Sequence, residues 1–150
     1  MERFELEQYV NEFRKRLDQN LPQYLVSRPN ILHLKHFEAF PRGCCSDVSH
    51  VLGSALRKHF CVEPVIVFGS RYHADAQHET HAWVEVNSFV VDITADQFGE
   101  APVIVLEHSP WHGTWEDQTS TNLREDDPER FWWSTIGRPI YTMGIGKCTA

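Results

Sequence analysis

Apolar side chains recur at Leu6, Tyr9, Val10, Phe13 and Leu17 with Glu, Arg and Lys at the positions between. That spacing of three and four predicts an amphipathic helix over about residues 3 to 19, with Asn20 as its stop. Pro22, Pro29, Pro41 and Gly43 then break any periodicity, so 21 to 43 reads as an irregular approach with one short strand or turn around Ile31 to Leu34. From Cys45 to His59 the apolar positions Val48, Val51, Leu52, Ala55 and Leu56 follow the one-face pattern of a buried helix. The β-branched run at 64 to 69 predicts a strand, and 70 to 79 a polar loop. THAWVEV (80 to 86) and FVVDIT (89 to 94) flank Asn87 and Ser88, a two-residue connection suited to a hairpin. A further strand is predicted over 102 to 108. The remainder has weak periodicity and one short helix expected near Asp127 to Trp133. The order predicts an α+β domain: the Cys45 helix packed on an antiparallel sheet.

Composition narrows the classes. The 150 residues suit a single domain spanning 1–150, large enough to bury a core without metals or staples. With 14 Lys+Arg against 21 Asp+Glu the formal charge is −7, the wrong sign for general phosphate binding, so no nucleic-acid partner is expected. The charged N-terminus lacks the apolar run of a signal peptide, and no stretch is long enough to span a membrane. Four cysteines, two of them adjacent, make a poor disulfide framework. Free thiols in a cytoplasmic protein, or one delivered by a leaderless secretion route, are expected.

Three chemical features stand out: a cysteine opening a buried helix, a histidine on one strand of the hairpin, and an aspartate on the other. If Val86 faces Phe89 across the turn, Trp83 faces Asp92 and His81 faces Thr94. His81 and Asp92 are then diagonal neighbours on one face, about 7–8 Å apart at the backbone, and the carboxylate can fix the imidazole tautomer. A helix N-terminus stabilises an anion, which favours a thiolate and can bind an oxyanion. Cys44 and Cys45 both meet that need, and periodicity leaves the choice open.

The stretch GCCSDVSHVLGSALRKHF resembles the Cys-bearing helix of the transglutaminase-like superfamily of papain-fold cysteine enzymes, and HAWVEV followed by VVDIT resembles its His and Asp strands. The resemblance spans residues 40 to 98. It implies a papain-like core, a nucleophile at Cys45 (the cysteine followed two residues later by Asp47), a general base at His81 and an orienting acid at Asp92. FPRGCC and ITADQF resemble small bacterial members, some toxin-like. The implied activity is acyl transfer through a thioester on a peptide or glutamine amide, by a peptidase, protein deamidase or transglutaminase acting on a protein or peptide substrate, with no metal or organic cofactor.

Two other classes compete: a catalytically silent papain-like module that binds protein, and a zinc site from Cys45, His73, His78 and His81, although the H-x4-H-x2-H spacing matches no specific zinc motif. Cys61 and Cys148 read as plain thiols, Trp83 as core or cleft wall, and Asp47 as a dipole-compensating or loop-tying residue. Asp96 and Gln97 read as cleft border or turn. The acidic run Glu125 to Glu129 reads as a solvated face or helix start, and Trp111, Trp115, Phe131, Trp132 and Trp133 as core or lid packing.

Overall fold

A computed structural model describes residues 1–28, 32–75 and 77–147; Cys148 and Ile31 lie outside them. Helix α1 (Arg3–Val26) buries Leu6, Val10, Phe13 and Leu17 as the spacing requires. It runs past the expected stop at Asn20, because Leu21 extends the stripe by one more turn and is itself buried. Pro22 removes one helical N–H, and the burial of Leu21 offsets that loss. In place of the expected strand or turn, Leu32–Ala39 forms a 3-10 helix whose buried Leu34 and Phe37 stand three residues apart, the period of that helix.

Helix α2 (Cys45–Phe60) is buried nearly all round its middle, from Val48 to Leu56. A β-carbon on Gly53 would run into the Leu123 side chain, so glycine there permits the close crossing. The sheet comprises β1 (Val65–Tyr72), β2 (His78–Val86), β3 (Phe89–Asp92), β4 (Ile104–Leu106) and β5 (Glu116–Asn122), in the order β4-β3-β2-β1-β5. All four pairings are antiparallel. Val86 pairs with Phe89 and Val84 with Val91, the register expected of the hairpin. Asn87 and Ser88 both adopt positive φ (48° and 69°), as a type I′ turn demands.

Several bounds differ from expectation. β1 and β2 continue to Tyr72 and from His78, shortening the predicted 70–79 loop. β3 stops at Asp92 because the Thr94 N–H turns back to Asp92 Oδ1 at 2.9 Å, and a 3-10 turn (Ala95–Phe98) follows. β4 is three residues long rather than the predicted 102 to 108. The helix expected at 127 to 133 instead begins at Phe131, widens into a π turn at Trp133–Gly137 and continues as α4 (Arg138–Ile145). β5 was not predicted.

Strand alternation divides the side chains between two layers. Ile66, Ala82, Val84, Val86, Phe89, Val91 and Val105 join the core formed with α1, α2 and α4. Val67, Trp83 and Trp115 form a second cluster with Phe98 and Trp111 packed against it. His81 and Asp92, at the same parity as Trp83 and Val90, belong to this second face. Among the described residues no helix is long and apolar enough to cross a membrane.

Candidate functional site

His81 Nε2 donates to Asp92 Oδ2 at 2.7 Å, with His81 1% and Asp92 2% exposed. The diagonal pairing on the hairpin thus brings the two together. A ring of aromatics encloses His81: Trp83, Phe98, Trp111 and Trp115 all lie with centroids 5.1–5.7 Å from its own. Gly69, opposite His81 on β1, makes room for this roof, since a β-carbon there would stand 2.6 Å from Trp115 Cβ and 3.3 Å from the Trp83 ring. A short helical turn, α3 (Pro110–Gly113), carries Trp111 and a buried histidine absent from the sequence reading.

That residue is His112, and its Nε2 donates to the same Asp92 Oδ2 at 2.7 Å. Ser109, the N-cap of α3, sits 2.6 Å from His112 Nδ1 and donates its hydroxyl proton there, which leaves Nε2 as the protonated nitrogen. Asp92 therefore has His81 and His112 on one oxygen and the Thr94 N–H on the other. The segment did carry a signal: Ser-Pro-Trp-His places a good N-cap before proline at the first helical position.

Electrostatics follow from this enclosure. Burial by itself pushes His81 toward its neutral form, but its hydrogen bond to Asp92 and the Cys45 thiol reverse the sign and raise its pKa to about 9. Burial would raise Asp92, yet donation from His112 and His81, the charge on His81 and the Thr94 N–H hold it well below the ordinary carboxylate range.

Cys45 is the first residue of α2 and half-buried, whereas Cys44 is 2% exposed within the helix-side core, where burial pushes its thiol up to about 12. His81 Nδ1 is buried without a hydrogen-bond partner, so the ring has one nitrogen locked and one open. The Cys45 thiol acts on the His81 ring, raising its pKa, from the N-terminus of α2. No side chain caps this helix, and its first internal bond is Val48 N–H to Cys44 O at 2.9 Å. The N–H groups of the opening turn consequently remain available to an anion.

Asp47 ties loops around this helix start. It accepts from Trp132 Nε1 (2.8 Å) and Arg124 (2.7 Å) on one oxygen and meets His36 Nε2 at 2.6 Å on the other. Those partners hold it below the ordinary carboxylate range against the opposing effect of burial. Asp96 is the bidentate partner of buried Arg14, at 2.8 and 2.9 Å, rather than a cleft group. Gln97 borders a depression of about 380 Å³ together with Arg42, Glu79, Thr80 and Phe98, the last of which packs edge-on to the His81 ring. A larger cavity, about 640 Å³, lies between α1 and the end of α4 and shares no residue with the His–Asp pair, so volume does not locate the chemistry.

The remaining candidates scatter. His73 faces Glu79 at 3.4 Å and His78 stacks on Tyr72, both exposed, so the set Cys45, His73, His78 and His81 does not assemble. Among the described residues the one group with convergent ligand atoms is His81, Asp92 and His112. Trp111 and Trp115 roof the pair, Trp132 and Trp133 sit on the helical side, and Phe131 is exposed. Asp126 of the acidic run is not free solvated charge; it meets Arg57 and Lys58 at 3.1 and 3.2 Å. Cys44, Cys45 and Cys61 are free thiols. No protein-family model, curated protein or solved structure matches the chain.

Proposed function

We propose that the protein is a papain-like, cysteine-dependent acyl-transfer enzyme acting on a peptide or glutamine amide through a thioester on Cys45. The observation that carries this reading is the asymmetry of His81. Its Nε2 is fixed by Asp92 while its buried Nδ1 is unpartnered, and the Cys45 thiol helps keep the ring protonated. An imidazole so held favours a thiolate beside it, and the uncapped start of α2 favours the same anion.

In the proposed step the Cys45 sulfur attacks the amide carbonyl carbon, forming the C–S bond, and the developing oxyanion lies at the free N–H groups of α2. The C–N bond then breaks and His81 gives its Nδ1 proton to the leaving amine or ammonia. Water or an amine, losing its proton to Nδ1, resolves the thioester and returns the thiolate. Asp92 stays ionised throughout and holds the ring orientation. The depression lined by Arg42, Thr80, Gln97 and Phe98 is the substrate approach.

A catalytically silent papain-like module that binds protein is the second reading, favoured by the near-complete burial of His81. Iodoacetamide treatment from pH 5 to 9, with the modified cysteine mapped by mass spectrometry and His81→Ala alongside, separates them. Fast alkylation of Cys45 below pH 7 that disappears in the variant supports the enzyme. Slow alkylation equal in both proteins refutes it.

A further inference from the structure

We propose that His112 is a fourth member of this site, a positioning residue that acts on His81 through Asp92. The geometry is a continuous relay, Ser109 to His112 at 2.6 Å, His112 to Asp92 at 2.7 Å and Asp92 to His81 at 2.7 Å. All three ionisable members are at most 3% exposed, so the two bonds to Asp92 are made without competition from water.

Two imidazoles donating to one carboxylate oxygen divide its negative charge. Asp92 then binds the His81 proton less tightly than a carboxylate with a single donor would, and its rotamer is fixed from a third element, α3, besides the two strands. Ser109 has a defined part, since by donating to Nδ1 it selects the tautomer in which His112 Nε2 carries the hydrogen. The relay thus trims the proton affinity of His81 toward a value at which the ring can both hold a proton and release it. The titratable groups acting on His81 are Asp92 on β3, Cys45 on α2 and, through Asp92, His112 on α3. Of the neighbouring charges, Arg71 stacks 4.2 Å over the Trp115 ring and Glu85 accepts from Trp83 Nε1 at 3.2 Å, each one aromatic removed from the imidazole.

The role of His112 serves the acyl-transfer reading, but its test does not depend on it. The His81 ring is titrated by nitrogen-detected NMR in the whole protein, in His112→Leu and in His112→Gln, whose amide N–H can replace the Nε2 donor. The expected result is a midpoint for His81 that rises by roughly half a pH unit in His112→Leu and returns to the wild-type position in His112→Gln. A His112→Leu midpoint unchanged from wild type overturns the proposal. Equal displacement in both variants also overturns it, because packing alone would then account for His112. Should His112→Leu fail to fold, the Ser109→Ala variant keeps the test open: a wild-type His112 tautomer and an unmoved His81 midpoint refute the relay, and a moved midpoint upholds it. Iodoacetamide labelling of Cys45 in the same samples is scored separately. Ordinary labelling beside a moved His81 midpoint sinks the acyl-transfer reading and leaves the relay standing.

Discussion

Replacing Asp92 by Asn tests how strongly the buried pair is coupled, because the amide keeps the shape and removes the charge. The pKa of His81 rises from its ordinary 6.5 to about 9 in the folded chain. At 1.36 kcal/mol per pH unit, that difference corresponds to about 3 kcal/mol of folding stability. A raised histidine contributes fully below pH 6.5 and loses its contribution as pH climbs through 9. In Asp92→Asn the opposing effect of burial is left unbalanced and no such contribution exists. Urea unfolding followed by tryptophan fluorescence, at pH 6 and pH 10 in the same salt, should show wild type exceeding the variant by about 3 kcal/mol more at pH 6 than at pH 10. Groups titrating in both proteins cancel in this difference, among them the half-buried Tyr9 and the buried Cys44, each pushed up to about 12 in the folded chain. A gap equal at the two pH values to within about 0.5 kcal/mol would refute the assignment of His81 and Asp92 as a charged pair.

Three further perturbations follow from the same contacts. Cys45→Ala should abolish every His81-dependent thiol reaction while changing stability by no more than about 1 kcal/mol, since the side chain is half-buried and small; circular dichroism and urea midpoints check the second clause. Asp47→Ala leaves the Trp132 indole and Arg124 without their acceptor and should cost about 2–3 kcal/mol by urea unfolding at pH 7. Because the Asp47 carboxyl is held low in the folded state, its contribution is present above the unfolded value near 4 and disappears as pH falls, so wild type and variant should converge on acidification. Arg14→Met removes the donor to Asp96, Ile93 O and Pro102 O from a buried position and should cost about 3–5 kcal/mol, read as a lower melting temperature.

What the sequence made legible was whatever had a period or a turn rule behind it. The Asn87-Ser88 connection set the hairpin register, and the register alone put His81 beside Asp92. The apolar face from Val48 to Leu56 likewise announced α2. Strand β5 was hidden because Glu116–Asn122 is exposed throughout and held by backbone pairing to β1, so no alternation of burial marks it. The end of α1 was misplaced because Leu21 rescues a turn that Pro22 weakens. His112 escaped notice because its importance arises from a long-range meeting with Asp92, which no local pattern encodes, even though its Ser-Pro start was readable.

The division of side chains between two sheet faces bears on how the site fails. His81, Asp92 and His112 travel with the sheet and its aromatic roof, while Cys45 is carried by the first turn of α2, whose body packs in the helix-side core. The thiol and the imidazole are thus carried by separate layers joined through packing, and a slip of one against the other uncouples them with every helix and strand intact. Gentle destabilisation, by mild urea or by enlarging Gly53 against Leu123, should extinguish the thiol reactivity proposed for Cys45 in a population that still reads as folded by circular dichroism. On the proposed reading, the meeting of Cys45 with His81 is then the most sensitive gauge of how the two layers are seated.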